Sequence, residues 1–135
     1  MRTPPVYADF KPTGVPKRLL ESVDLSLDEY EAVRLANYLG YDHARGAAEM
    51  GISRPTFTRL LDSAQQKLAR FLVEGLHISI AGGVVHFREN LIKCGKCGKV
   101  FPAPIDKSPE TCPVCGASTL ENLAAAYGHG ACCKA

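Results

Sequence analysis

The sequence predicts a mainly α-helical domain of the helix-turn-helix type with a short β-hairpin, followed by a small β module built around four cysteines. Two observations predict this architecture. Apolar residues recur with the 3.6-residue period of a helix through most of residues 26–75. Residues 93–120 contain two Cys-x-x-Cys pairs among glycines and prolines. A chain of 135 residues is long enough for one compact domain with such an appendage.

The composition excludes wholesale disorder and a membrane span. Hydrophobic residues make up 46% and charged residues 22% of the chain, as in ordinary globular proteins. No apolar run approaches the roughly 18 residues that a membrane-spanning helix needs. Residues 1–9 lack the apolar segment of a secretory signal. We therefore expect a cytoplasmic chain with reduced thiols, in which six cysteines point to metal binding.

Charge is segregated along the chain although the formal net charge is only +2. Residues 21–52 carry seven acids against two arginines, whereas residues 53–75 and 76–99 are both net positive. Basic stretches separated by an acidic one indicate oriented surfaces. An ordinary solvated surface is the alternative.

Local signals divide the first part of the chain into an arm and three helices. Four of the nine prolines lie between residues 4 and 16, which predicts an extended Pro-rich arm over residues 1–25. Ser26 and Glu29 form the Ser-x-x-Glu pattern of a capping box, so the first helix begins there. Gly40 is a suitable C-terminal stop.

The second and third helices follow closely. The second is predicted over residues 42–50 and ends at Gly51. Gly46 lies inside it and costs about 1 kcal/mol relative to alanine, which argues against a regular helix. The third and strongest helix has Ser53 as its N-cap and ends at Gly75.

The spacing across the second and third helices is that of a helix-turn-helix. Ala47 permits close approach of two helices, and Gly51, four residues later, can adopt the positive φ of a tight turn. Phe57 and Leu60 then face back toward the second helix. Residues 26–75 are therefore predicted to form a helix-turn-helix domain. The alternative is a plain helical hairpin within a larger core.

In a helix-turn-helix, the first turns of the third helix point outward and can enter a major groove. Arginine there contacts phosphate or guanine, hydroxyls lie near base edges, and free N–H groups suit a phosphate. The predicted DNA-binding residues are Ser53, Arg54, Pro55, Thr56, Thr58 and Arg59.

After the third helix the apolar period changes to that of strands. Residues 76–81 and 84–88 flank Gly82-Gly83, which predicts a β-hairpin with a two-residue turn. Residues 89–92 are predicted to be a linker, so that the hairpin and linker occupy residues 76–92.

Residues 93–120 are predicted to be a four-cysteine zinc-ribbon module. Fourteen residues separate the Cys-x-x-Cys pairs, whose members Cys94, Cys97, Cys112 and Cys115 are the predicted metal ligands. The module resembles zinc ribbons and the rubredoxin-like knuckle. One Zn²⁺ in a structural four-thiolate site is the expected cofactor, and iron is the alternative. Two disulfides or four unrelated thiols are the competing interpretations.

Residues 121–135 are predicted to form a short helix and a flexible tail. His129, Cys132 and Cys133 indicate either a second metal or redox site, or spare thiols in that tail. Three other histidines match no ligand spacing, and we interpret them as ordinary surface or sheet residues: His43, His77 and His86.

Several motifs resemble an uncharacterised prokaryotic DNA-binding family. The resemblance covers roughly residues 4–83. The matching segments are Phe10-Lys-Pro-Thr-Gly-Val-Pro16, the run that begins at Leu25, the run from Ala47 to Leu61, and the junction from Val73 to Gly83. Members of that family carry a helix-turn-helix similar to the fourth region of bacterial sigma factors. The resemblance implies double-stranded DNA as a partner and transcriptional regulation, with roles for Arg54, Thr56, Thr58 and Arg59 by position.

The sequence therefore favours a sequence-specific DNA-binding regulator with a structural zinc ribbon. An iron- or redox-sensing four-cysteine protein and a protein-interaction module without DNA binding are the alternatives. The ribbon could dock RNA polymerase or another protein, and a homodimer is compatible with the motif. No enzyme is expected, because no catalytic motif is found and the paired cysteines are used as ligands.

Overall fold

The computed structural model describes residues 1–83, 86–129 and 133. It divides into two compact units. One, the helical unit, comprises residues 7–85, and the other, the four-cysteine unit, comprises residues 1–6 and 86–135. Cys132, which the sequence analysis singled out, lies outside the described residues. Among the described helices, none combines the length and the apolar content that crossing a bilayer requires.

Three helices form most of the helical unit: α1 (Leu27–Val33), α2 (His43–Met50) and α3 (Arg54–Glu74). Their predicted starts and stops are confirmed at α2 and α3, where Gly51 and Gly75 adopt left-handed C-cap conformations. The end of the first helix differs from the prediction. After α1 the backbone continues as a π-helical stretch over Arg34–Tyr38, before a turn at the positive-φ Gly40.

The capping box predicted at α1 is confirmed and belongs to a larger buried network. The Ser26 side chain accepts from the Glu29 N–H, and the Glu29 carboxylate accepts from the Ser26 N–H at 3.0 Å. Lys67 and Ser63 of α3 also donate to this carboxylate, at 2.7 and 2.6 Å. Glu29 is buried, so its partners on α3 tie the start of α1 to the side of α3.

Lowering the pH is expected to weaken the helical unit through Glu29. Burial raises the pKa of Glu29, but the hydrogen bonds from Lys67, Ser63 and Ser26 outweigh it and hold the pKa below the ordinary 4.5. A carboxyl with a lowered pKa stabilises the fold above its unfolded pKa, and this contribution is lost as the pH falls through the folded value. Glu29→Gln should cost about 1–3 kcal/mol at neutral pH.

Urea denaturation of wild type and Glu29→Gln, from neutral to acidic pH, checks this expectation. The variant should lose less stability than wild type on acidification, because it no longer carries the carboxylate that must be protonated. Asp62→Asn, which removes an exposed carboxylate from α3, is the control and should follow the wild-type profile. Parallel pH profiles for Glu29→Gln and wild type would contradict the assignment.

The core of the helical unit lies where α3 packs against α1 and α2. Phe57 and Ala64 are fully buried on α3, and Leu61 lies between them. They contact buried residues of the preceding helices, so α3 is held along its N-terminal half. The cluster consists of Ala32, Leu35, Ala47, Phe57 and Leu61.

A three-stranded sheet completes the helical unit. Its strands are β1 (Asp9–Phe10), β2 (Ser22–Leu25) and β3 (His77–Ile80), and β3 is central. It pairs antiparallel with β1 and parallel with β2. Since both edges of β3 are occupied, it has no edge for a hairpin partner.

The β-hairpin predicted around Gly82-Gly83 is therefore wrong. The described part of its second strand, residues 86–88, is not in a strand. Gly82 instead accepts a hydrogen bond from the Leu27 N–H at 3.1 Å, next to the start of α1. The period-2 pattern identified β3 correctly as a strand, but β3 finds its partners in segments more than fifty residues away.

The buried His77 connects all three strands of this sheet. Its Nε2–H donates to the Asp9 carboxylate of β1 at 2.7 Å. Its Nδ1 is hydrogen-bonded to the Ser22 hydroxyl of β2 at 2.8 Å. His77 is thus a sheet residue, as predicted.

The predicted arm over residues 1–25 is also corrected, because it is divided between the two units. Residues 7–25 contribute β1, a 3₁₀ turn at Lys17–Leu19 and β2 to the helical unit. Residues 1–6 belong to the four-cysteine unit, where the Arg2 carbonyl accepts from the Glu89 N–H at 2.8 Å.

The four-cysteine unit is built on a second three-stranded sheet with the order β5-β4-β6. Its strands are β4 (Glu89–Cys94), β5 (Val100–Pro104) and β6 (Leu120–Asn122), all antiparallel. The predicted linker at residues 89–92 is thus wrong, because those residues form most of the central strand. The predicted short helix is present as α4 (Leu123–Ala126).

Candidate functional site

The turn between α2 and α3 is tight and depends on one glycine. Gly51 adopts φ 68° and ψ 33°, and its N–H donates to the Ala47 and Ala48 carbonyls. The Ile52 N–H also donates to the Ala47 carbonyl, at 3.0 Å. A residue with a Cβ is disfavoured at this φ, so the predicted role of Gly51 is confirmed.

At Gly46, α2 lies directly against a side chain of α3. A Cβ built on Gly46 would lie 2.4 Å from the Phe57 ring, too close for any side chain. Phe57 is fully buried, so its ring has little room to move aside. The expectation that Gly46 makes α2 irregular is wrong, because α2 is continuous from His43 to Met50 and the glycine is required for packing.

The start of α3 is exposed, as predicted from its position after the turn. Ser53 caps the helix and accepts from the Thr56 N–H at 3.3 Å. Phe57 is the first buried residue of α3, and its side chain packs this end of the helix against the core. All six residues predicted to contact DNA are exposed, namely Ser53, Arg54, Pro55, Thr56, Thr58 and Arg59.

Some polar side chains at the start of α3 already form hydrogen bonds within the protein, whereas others form no ion pair. Thr58 lies 2.8 Å from His43 Nδ1 on α2, and its hydroxyl is also 3.1 Å from the Arg54 carbonyl. Neither Arg54 nor Arg59 forms an ion pair with any residue that the structure describes. The two guanidinium groups thus project from α3 with their donors available to a ligand.

Arg45 of α2 is a further exposed arginine of the helical unit, and it is not among the DNA-binding residues that the sequence predicts. Its guanidinium carbon lies 3.7 Å from the centre of the Tyr41 ring, which restricts the side chain. Arg45 lies in the first turn of α2. No sequence motif marks Arg45 as a binding residue, because a single arginine within an acidic segment is common.

The four predicted metal ligands are brought together in the four-cysteine unit. All four sulfurs lie within 4.8 Å of one another, so they could hold a metal ion. Cys94 Sγ is 3.5 Å from Cys115 Sγ, and Cys97 Sγ is 3.7 Å from Cys112 Sγ. These separations exceed a disulfide bond of about 2.05 Å. They match the edge of a tetrahedron with metal–sulfur bonds of about 2.3 Å, which is about 3.8 Å.

The two Cys-x-x-Cys turns have the same backbone geometry. The Cys94 N–H donates to the Lys99 carbonyl, and the Gly98 N–H donates back to the Cys94 carbonyl. The same two bonds recur at the second pair, from Cys112 to Ala117 and from Gly116 to Cys112. Gly98 and Gly116 both adopt positive φ, which explains the glycine after each pair.

The electrostatics of the four sulfurs favour a bound cation. The Cys97 N–H, 3.4 Å from Cys94 Sγ, is the largest influence lowering the pKa of Cys94 to about 6. The Cys115 N–H similarly lowers the pKa of Cys112. The Ala117 N–H lowers the pKa of Cys115, but desolvation and the other three thiols raise it to about 12. Four thiolates can therefore coexist here only around a positive charge.

The structure also brings His86 next to His129 and Cys133. The sequence indicates His129 and Cys133 as candidate ligands but does not include His86 among them. The candidate ligand atoms of the three residues lie within 4.8 Å of one another. Their spacing along the chain fits no ligand motif, because His86 precedes β4 and the other two follow α4.

Comparison with known proteins gives one family. The family model described as "Protein of unknown function DUF134" matches residues 1–88. A UPF0251 protein from Chloroherpeton thalassium is 44% identical over 119 residues, which cover 88% of this chain and 79% of the relative. A UPF0251 protein from Moorella thermoacetica is 42% identical over 123 residues, covering 91% and 80%. One from Rhodospirillum rubrum is 58% identical over 76 residues, covering 56% and 53%.

Proposed function

This chain belongs to the family described as protein of unknown function DUF134, and we propose that it is a sequence-specific DNA-binding protein that regulates transcription. In this proposal α2 and α3 act as a helix-turn-helix, and the four-cysteine unit holds one structural Zn²⁺. The observation that carries the proposal is the exposed start of α3, where six polar or helix-initiating residues surround a single buried anchor, Phe57.

The position of α3 suits insertion into a major groove. In helix-turn-helix proteins the second helix of the motif contacts base edges with its N-terminal residues, while the first helix crosses the backbone. Arg54 and Arg59 lie on the first two turns of α3, and Thr56 lies between them. Arginine reads guanine through two hydrogen bonds in the major groove, and threonine contacts either a base edge or the thymine methyl group.

Contacts to phosphate would set the orientation on DNA. The Arg45 guanidinium on α2 is exposed on the helix that crosses the backbone in such complexes. At the start of α3, Pro55 has no N–H and the Thr56 N–H donates to the Ser53 hydroxyl, so the Arg54 N–H is the backbone donor that remains for a phosphate. Such contacts release counterions, so binding should weaken steeply with salt.

Zinc is the metal that the four-cysteine site favours. Four thiolates at tetrahedral spacing form a closed site, which is typical of structural zinc. Iron binds the same ligand set and is the alternative, distinguished by its visible absorption. The proposal gives the ion no catalytic role, and it assigns no enzymatic activity to the chain. RNA polymerase or a second copy of the chain are the partners that we propose for the ribbon.

Replacing both arginines of α3 tests the proposed function. DNA fragments are first selected from a random pool by the full-length, zinc-loaded protein. Arg54→Ala with Arg59→Ala should then weaken binding of the selected site by about 1–3 kcal/mol per arginine, which is roughly 5- to 150-fold each. The circular dichroism spectrum should stay unchanged, because both side chains are exposed.

A charge-matched control separates readout from general attraction. Arg18→Ala with Lys107→Ala also removes two exposed positive charges, one from each unit, and should leave the selected site bound. Wild-type affinity in the α3 double variant would refute the readout assignment. Wild-type protein that binds no DNA at any salt concentration would refute the proposed function and favour a protein-interaction module.

A further inference from the structure

We propose that His86, His129 and Cys133 form a second metal site, which binds a borderline transition-metal ion and takes Zn²⁺ by preference. The site lies within the four-cysteine unit but shares no ligand with the four-cysteine site. It does not depend on the proposed DNA binding.

The distances among the three side chains match metal coordination. Cys133 Sγ lies 3.4 Å from His129 Nδ1 and 3.6 Å from His86 Nδ1. With zinc–sulfur bonds of about 2.3 Å and zinc–nitrogen bonds of about 2.0–2.1 Å, the sulfur–nitrogen edge of a tetrahedron is about 3.6 Å. One ion can therefore contact the sulfur and both imidazoles without a large movement of any of them.

The sulfur is also hydrogen-bonded as a metal-bound thiolate would be. The Phe87 N–H donates to Cys133 Sγ at 3.2 Å. In the four-cysteine site the Cys97 N–H donates to Cys94 Sγ in the same way, at 3.4 Å. Backbone donors of this kind stabilise negative charge on sulfur and orient it toward the ion.

The His129 imidazole packs against a buried ring, and the exposed His86 imidazole lies against it. The His129 ring centre lies 4.9 Å from that of Phe87, which is 1% exposed, and 5.7 Å from that of His86. The backbone N–H of His129 donates to the Ala124 carbonyl of α4 at 3.0 Å. Ligands positioned in this way lose less entropy when an ion binds.

The ligand chemistry selects the class of metal. Two imidazoles with one thiolate suit zinc and copper(I), whereas magnesium and calcium prefer oxygen ligands. The described residues supply three ligands, and zinc reaches four-coordination by adding a water molecule or another ligand. Binding here should be weaker than in the four-thiolate site.

Metal analysis of the full-length chain tests the inference. Protein reconstituted with excess Zn²⁺ and freed of unbound metal should contain two zinc ions per chain. The variant His86→Ala with Cys133→Ser should contain one, retained by the four-cysteine site. His43→Ala, which removes an imidazole from the helical unit, is the control and should keep two ions.

Titration of metal-free wild type with Co²⁺ tests the site without any variant. The first equivalent should produce strong sulfur-to-cobalt charge transfer from four thiolates. A second equivalent should add ligand-field bands of a distinct tetrahedral site with much weaker charge transfer from one thiolate. A titration complete after one equivalent, or a double variant that still binds two ions, would overturn the proposal and leave a hydrogen-bonded Cys–His cluster in its place.

Discussion

Cys112→Ser is expected to unfold the four-cysteine unit while leaving α1, α2 and α3 folded. The unit has a small core, whose buried residues include Phe87, Ile92 and Leu123. Two of the proposed metal ligands, Cys94 and Cys112, are themselves buried. Structural zinc in small domains supplies about 10–16 kcal/mol of apparent binding free energy, which is also folding free energy. So small a sheet has no comparable reserve of stability.

Two measurements on the full-length chain check this expectation. The amide NMR signals of β4, β5 and β6 should collapse to the narrow range of unfolded peptide. The helical circular dichroism signal, which comes mainly from residues 27–74, should persist. Ser108→Ala, which changes an exposed side chain of the same unit, is the control, and it should keep the dispersed signals of the sheet. Full dispersion in metal-free Cys112→Ser would show that the unit folds without its ion.

Phe57→Ala is expected to destabilise the helical unit by about 3–5 kcal/mol. The ring is fully buried and fills the space between α2 and α3, in contact with the cluster that includes Leu35 and Ala47. Gly46, which faces the ring from α2, has no side chain that could move into the resulting cavity. Urea denaturation followed by circular dichroism measures the loss. A loss of less than about 1 kcal/mol in the free energy of unfolding would mean that packing of α2 against this ring contributes little to stability.

A double-mutant cycle isolates the contact between the ring and α2. Gly46→Ala gains up to about 1 kcal/mol in helix propensity. It nevertheless should destabilise, because overpacking of a filled core costs about 1–3 kcal/mol. Phe57→Leu makes room for the added methyl group, so the double variant should be more stable than the sum of the single effects predicts. Additive effects would place the cost of Gly46→Ala elsewhere.

The starts of α1, α2 and α3 and the ends of α2 and α3 are readable from the sequence because capping is local. Ser26, Asp42 and Ser53 each accept a hydrogen bond from a backbone N–H three residues later. The glycines that end α2 and α3 act through their own φ angles. Each of these interactions spans at most one helical turn, so a short window of sequence contains all the participants.

The four-cysteine site is predictable for the same reason. Each Cys-x-x-Cys turn closes through hydrogen bonds that span five residues, ending at Lys99 and Ala117. The spacing therefore dictates that both sulfurs of a pair point to one side. What the spacing leaves open is how the two pairs meet, and that is settled by β4, which carries Cys94 and pairs with both β5 and β6.

The sequence by itself determined the presence of α1, α2 and α3, the exposed start of α3 and the four cysteines that share one site. Only the tertiary structure decided that β3 lies between β1 and β2, that Gly46 faces Phe57, and that His86 meets Cys133. The physical reason is the range of the interactions. Caps and turns are formed by residues that are close together in the sequence. Strand pairing, close packing and the cluster of His86 with Cys133 bring together segments that are far apart in the sequence, and no local pattern of residues marks which segments will meet.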